Sequence, residues 1–218
     1  MSTVFRLDAS VRVEGSVTRA VADTLQHAIV AELGDDATVI RREVGLEPLA
    51  SDLWATAAFA TFVGEDDRSD EQKAAVSVVR ELADELEAAD AAIFTAPFYN
   101  WGVSQHFKTW ADLVLTDPRF GPGSGGGKGK PAFLVIARGG GYGEGTPRFG
   151  WDHATDWYKR VIQDVWGFDL EVIEAELTLA EGNPAMADLV DLAKQNLAEA
   201  HATAQAHGKT VAGRLVAA

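Results

Sequence analysis

The chain has 218 residues, 47% of them hydrophobic, which is enough to bury one substantial core and sets a single domain over 1–218 as the expectation. A formal net charge of −14, from 33 acidic against 19 basic residues, argues against nucleic acid or an anionic membrane as the main partner, since both reward surface cations. With no cysteine, a disulfide framework, a thiolate metal site and a cysteine nucleophile are excluded, and the five histidines show no ligand spacing with carboxylates, so no metal is expected.

The N-terminal MSTVFRLDAS carries Arg6 and Asp8 and lacks the apolar run of a signal peptide, and no apolar stretch approaches the roughly 18 residues that span a bilayer. A cytoplasmic location is expected. Short β-rich runs alternate with helical periodicity, the signature of βαβ units around a parallel sheet. The predicted strands are Thr3 to Leu7, Thr38 to Val44, Ala91 to Ala96, Ala132 to Ala137 and Leu170 to Leu177. The third and fourth, AAIFTA and AFLVIA, are continuously apolar, as strands covered on both faces are.

In the first helix Val17, Val21, Leu25, Ile29 and Leu33 recur every four residues before Gly34. The segment 47–67 carries Leu49, Leu53, Trp54, Phe59 and Phe62, too apolar for a solvated loop. It suits a lid, a partner-facing surface or packing over the sheet edge. A helix from Asp70 to Ala89 is signalled by the capping box of Ser69 and Gln72, and others are predicted from Ser104 to Leu115, from Asp152 to Trp166, and from Pro184 to about His207. GPGSGGGKGK, residues 121–130, has the composition of a flexible connector. It satisfies G-x-G-x-x-G by spacing, but no strand precedes it and no helix follows.

Right-handed crossovers in such a sheet bring the loops after the first, third and fourth strands to one edge. The first loop, DASVRVEGSVTRA, puts Ser10, Ser16 and Thr18 at a helix start, where hydroxyls and free N–H groups favour a phosphate monoester and Arg12 and Arg19 add positive field. Plain helix capping accounts for the same residues. The second loop follows an apolar strand with Pro97, Phe98, Tyr99, Asn100 and Trp101, a cluster suited to a flat heteroaromatic ring or to filling the core. The third, ARGGGYGEGTPRFGW, has three consecutive glycines that let backbone N–H groups approach a ligand, or that make a merely flexible loop. Neither the P-loop pattern nor the G-x-S-x-G of serine hydrolases occurs.

Taken together these loops resemble the FMN-dependent azoreductases, a branch of the NAD(P)H:quinone oxidoreductase group, over nearly the whole chain. APFYNWGVSQHFKTWADLV looks like the family's P-M-Y-N-F stretch followed by a helix with K-x-x-x-D. Ser10 with Ser16-Val17-Thr18 is similar to its phosphate loop, Ala137-Arg138-Gly139-Gly140 to its S-R-G-G segment, and Glu181-Gly182 to a late A-E-G element.

The resemblance implies a flavodoxin-like α/β fold, a doubly wound five-stranded parallel sheet of order 2-1-3-4-5 with helices on both faces. It implies FMN, with Ser10, Ser16, Val17 and Thr18 at the phosphate and Pro97, Phe98, Tyr99, Asn100, Trp101, Ala137, Arg138, Gly139 and Gly140 around the ring. NADH or NADPH would be the electron donor and a quinone or azo compound the acceptor, in a ping-pong cycle, with Asn100 bonding the ring edge and Tyr142 as acceptor contact or proton donor. The family's members are typically homodimers. Departures are Val17 for a polar residue, Ala137 for serine, Tyr142 for histidine and Trp101 for phenylalanine. The rival readings are a flavodoxin-like electron carrier, a biosynthetic reductase acting on one secondary metabolite, and a non-flavin interaction protein.

Overall fold

A computed structural model describes residues 1–217. Five parallel strands, β1 (Ser2–Asp8), β2 (Ala37–Glu43), β3 (Ala91–Pro97), β4 (Pro131–Ala137) and β5 (Asp169–Ala175), form one sheet in the order β2-β1-β3-β4-β5. Each predicted strand lies within two residues of its observed bounds. β3 is buried along its whole length and β4 along all but its last residue. The edge strands carry charge instead, Arg41 and Arg42 on β2 and Glu171 and Glu174 on β5, which discourages edge-to-edge pairing.

Side chains alternate between two cores. On one face Val4, Ile93 and Val135 pack against Val21, Leu25 and Ile29 of α1 (Val17–Leu33) and against Ala200, Ala204 and Val211 of α6 (Val190–Ala217). On the other, Phe5, Phe94 and Leu134 meet α3 (Asp70–Glu87) and α4 (Gln105–Val114), where Phe5 stacks on Trp110 with centroids 5.9 Å apart. The capping box forms as predicted, with Ser69 and Gln72 bonding each other's backbone N–H. No helix among the described residues is long and apolar enough to cross a membrane.

Four segments depart from their sequence reading or refine it, the glycine-rich stretch 121–130 among them. Residues 47–67 are partly packed: α2 (Leu53–Ala60) buries Ala57 and Ala60 and sets Leu49 and Leu53 against the core, while Trp54, Phe59 and Phe62 face outward. The predicted helix 152–166 is α5 (Thr155–Lys159) continued as a π-helix over Arg160–Val165, a widening that Trp166, wholly buried against Trp110 and Phe120, accompanies. The last helix begins as a 3₁₀ segment at Pro184–Leu189 and runs ten residues past its predicted end.

The glycine-rich stretch 121–130 is a packed turn rather than a flexible connector. Gly127 N–H donates to Trp166 O at 2.8 Å and Gly129 N–H to Gly167 O at 3.3 Å. A Cβ at Gly127 would lie 2.3 Å from the Phe168 ring, so this glycine is required by close approach. Gly127→Ala should therefore destabilise the protein by about 1–3 kcal/mol through overpacking. Gly213→Ala, in an open position of α6, should instead stabilise it by about 0.5–1 kcal/mol. Urea unfolding followed by far-UV circular dichroism reads both, and equal shifts of the same sign would contradict the packing assigned to residue 127.

Candidate active site

β1 lies between β2 and β3, so the chain crosses over in opposite directions from β1 and from β3 and leaves a crevice at their carboxyl ends. A cavity of about 340 Å³ sits there. Residues of the first loop line one side, from Ser10 to Arg12 and from Gly15 to Thr18, and Pro97, Phe98 and Tyr99 of the second line another. Ala137 and Gly139 of the third loop and Thr178 and Leu179 beyond β5 complete it.

The first turn of α1 is built differently from those of α3 and α4. Ser69 and Ser104 each use the side-chain oxygen to cap, accepting from Gln72 N–H and Phe107 N–H, whereas Ser16, in the same N-cap position, makes no cap bond. Its hydroxyl turns to Ser10 Oγ at 3.0 Å and lies 3.4 Å from Thr18 Oγ1. Three hydroxyls thus converge beside helix N–H groups that have no intrahelical partner, at the positive end of the helix dipole. That donor set fits a phosphate monoester.

The second loop turns through Asn100 and Trp101 in the left-handed region, φ 50° and 60°, closed by Gly102 N–H to Tyr99 O at 3.0 Å. Two consecutive non-glycine residues at positive φ mark local strain of a kind that concentrates at functional sites. Tyr158 carries a phenol raised above its ordinary pKa by burial, and its oxygen accepts from Ser104 N–H at 3.3 Å at the start of α4. A second depression of about 650 Å³ shares Val11, Phe98 and Tyr99 with the first and extends over Asn100, Gly102 to His106, Lys108 and Thr109.

Of the residues expected at the ring, Pro97, Phe98, Tyr99, Ala137 and Gly139 line the first cavity, and Asn100 lines the second depression. Trp101, Arg138 and Gly140 are not among the lining residues of either. The Trp101 ring meets Trp151 edge to face at 5.9 Å, and Tyr142 meets Phe98 edge to face at 4.8 Å. Arg138 is buried and engaged elsewhere: Nη2 bonds Thr155 Oγ1 at 2.7 Å and Glu174 Oε1 at 3.0 Å, and lies 2.8 Å from Asp152 Oδ2. Burial works against its charge, but Glu174, Asp152 and Glu176 outweigh that and raise its pKa. Arg19, expected to add field at the phosphate, is likewise paired with Glu43, whose hydrogen bond raises the arginine pKa against burial.

The sequence reading missed Thr178 and Leu179, which follow Leu177 at φ 63°. A Cβ on Gly139 would come within 2.6 Å of the Leu179 side chain, so that glycine lets Leu179 reach the cavity wall. Nothing in the local sequence signals it. The ionic cluster at the ends of β1 and β2 was also missed, although Arg6 and Asp8, two charges at alternate positions of an otherwise apolar strand, were its sign.

A family profile described as flavodoxin-like fold matches residues 2–204. The FMN-dependent NADH:quinone oxidoreductase of Streptomyces avermitilis is 36% identical over 219 residues, covering 100% of both chains. That of Frankia casuarinae is 35% identical over 208 residues, 94% of this chain and 98% of the relative. Among solved structures, an azoreductase from Bacillus anthracis superposes with a TM-score of 0.78 at 19% identity, covering 96% of this chain and 100% of its own. An FMN-dependent NADH-azoreductase from the same species, in complex with FMN, gives 0.78 at 14% identity, covering 97% and 100%.

Asp152 supplies a pH test. Burial raises its pKa, but bonds from Thr155 Oγ1 at 2.7 Å and from the Thr155 and Ala154 N–H groups at 2.9 Å, together with Arg138, outweigh that and hold it below the usual carboxylate range. A depressed native pKa stabilises above the unfolded value of about 3.9 and is lost as the pH falls through the native one. Asp152→Asn should therefore be less stable than wild type at neutral pH, with the gap closing below about pH 4. A gap in melting temperature that stays constant from neutral pH to strong acid would contradict this.

Proposed function

Since this chain belongs to the flavodoxin-like family of FMN-dependent NADH:quinone oxidoreductases, we propose that it transfers electron pairs from NADH to quinones and azo compounds, with FMN at the carboxyl edge of its sheet. The observation that carries this reading is the idle cap of α1: Ser16, Ser10 and Thr18 present hydroxyls beside unspent N–H groups at one end of a cavity whose other walls are Phe98, Tyr99, Ala137 and Gly139. Phosphate donors at one end and apolar faces with backbone N–H groups at the other match the two chemistries of FMN.

When bound, FMN supplies reversible two-electron chemistry. The protein's part is binding, orientation and charge. Ser10, Ser16 and Thr18, with the amides around Val17, hold the phosphate. Phe98 and Tyr99 would give apolar contact to the ring, and the Gly139 backbone N–H, beside Ala137, would serve the edge on which negative charge grows, the Arg138 N–H being spent on Ala175 O at 2.8 Å. Asn100, which lines the second depression, would donate its side-chain amide to the ring edge. Tyr142, fixed against Phe98, contacts the acceptor or donates the proton of its Oη. The second depression admits NADH and then the acceptor to the same place in turn, a ping-pong order.

The whole chain 1–218 acts as one FMN-binding domain in this reading. A homodimer is part of the proposal, supported by the apolar area that Trp54, Phe59 and Phe62 expose on and just beyond α2, and sedimentation velocity tests it. A cytoplasmic location follows from the need for NADH.

The purified protein should bind FMN, bleach on anaerobic addition of NADH and regain its colour when a simple benzoquinone is added. Double-reciprocal plots at several quinone concentrations should be parallel. A protein that takes up no FMN, or whose bound FMN NADH does not reduce, would overturn the proposal, and intersecting plots would overturn the ping-pong order alone.

A further inference from the structure

We infer that Arg19 is the positioning residue of the phosphate-binding turn, and that it acts by holding two backbone carbonyls rather than by presenting charge to the phosphate. The inference rests on the FMN reading above. Arg19 stands in the first turn of α1, where a cation opposes the helix dipole and a free guanidinium would be a natural phosphate partner. Its fork is used otherwise. Nη2 donates to Ser10 O at 2.7 Å and Nε to Arg12 O at 3.0 Å, so one side chain spans the turn from Ser10 to Arg12.

The guanidinium also meets Glu43, which accepts from Nη2 at 2.7 Å, and Asp8 Oδ2 lies 3.7 Å from Nη1. Asp8 is fully buried. Arg41 donates to it from Nε at 2.7 Å and Arg6 from Nη2 at 3.1 Å, while Arg6 Nε lies 2.9 Å from Asp8 Oδ2 without the alignment of a hydrogen bond. Arg6 also bonds Asp23 at 2.6 Å. Three arginines thus face three carboxylates, Asp8, Asp23 and Glu43, and the cluster is formally neutral.

What the cluster delivers to the cavity is therefore shape. The Ser10 and Arg12 carbonyl oxygens, which would repel an anion, are engaged by Arg19, Arg12 O also accepts from Ser10 Oγ at 3.2 Å, and Ser10 Oγ in turn accepts from Ser16 Oγ at 3.0 Å. An independent constraint acts on the same carbonyl: a Cβ at Gly45 would lie 2.1 Å from Ser10 O, so the chain leaving β2 presses directly on the turn. Lysine in place of Arg19 keeps the charge but is a point donor that cannot bridge two carbonyls and a carboxylate at once.

The test measures dissociation constants of FMN and of riboflavin, which lacks the phosphate, by flavin-fluorescence quenching with apoprotein, alongside circular-dichroism melts. Arg19→Lys should weaken FMN about tenfold or more, the size of one lost charge-assisted hydrogen bond, and leave riboflavin unchanged. Glu43→Gln separates the two roles by sign. It releases the arginine charge, so direct pairing with phosphate would tighten FMN, whereas loss of the positioned guanidinium weakens it. Gly45→Ala should weaken FMN selectively as well.

Retained FMN affinity in Arg19→Lys, tighter FMN in Glu43→Gln, or parallel losses of FMN and riboflavin would each overturn the inference. If Arg19→Lys gives no cooperative melt, the Glu43 and Gly45 variants decide it. Wild-type apoprotein with no preference for FMN over riboflavin would overturn the reading beneath it instead.

Discussion

The first turn of α1 starts at the carboxyl end of a central strand with its donors unspent. Three helices of this protein begin behind a serine, and in two of them that serine closes the helix end on itself. In the third the side chain bonds its neighbours, leaving the N–H groups at the positive pole of a 17-residue helix facing a cavity. Such an end is costly unless something anionic or well hydrated meets it. The position of this turn between oppositely directed crossovers brings the other two loops to the same place.

Two ionic clusters, each built around buried charges (Arg6, Asp8 and Arg19 in one, Arg138 in the other), hold those loops, and both are spent inward. Asp8, Arg6, Arg19, Arg41 and Glu43 tie the ends of β1 and β2 to the first loop, and Arg138 ties the third loop to Asp152 and Glu174. Taking such charges out of water stabilises little in itself and leaves a severe penalty if one partner is removed. What the clusters contribute is a fixed backbone geometry beside the cavity. The side chains that reach the cavity are mostly hydroxyls and aromatics, so selectivity comes from placement more than from net charge.

The sequence made the frame legible because its signals are local. Continuous apolarity marked β3 and β4, four-residue periodicity marked α1, and Ser69 with Gln72 marked the start of α3. The three loops were found because hydroxyls, aromatics and glycines after apolar strands are unusual. Tertiary contact decided the rest. Residues 121–130 have a linker's composition, yet Phe168 and Trp166 pin them. Arg138 sits in a loop of the site, yet its guanidinium is captured by Glu174 of β5, 36 residues away in sequence but on the neighbouring strand of the sheet. Leu179 reaches the cavity only because the chain turns at Leu177. A one-dimensional pattern holds no trace of such pairings.

The central claim is that the start of α1 receives the phosphate while Arg19 stays on the backbone behind it. A crystal structure of the protein grown with FMN tests this directly. Phosphate oxygens should lie at about 2.7–3.1 Å from the Ser16 or Thr18 hydroxyls and the first α1 amides, with the Ser10 and Arg12 carbonyls still bonded to Arg19. A phosphate seated elsewhere, or one gripped by the Arg19 guanidinium with Glu43 released, would contradict it.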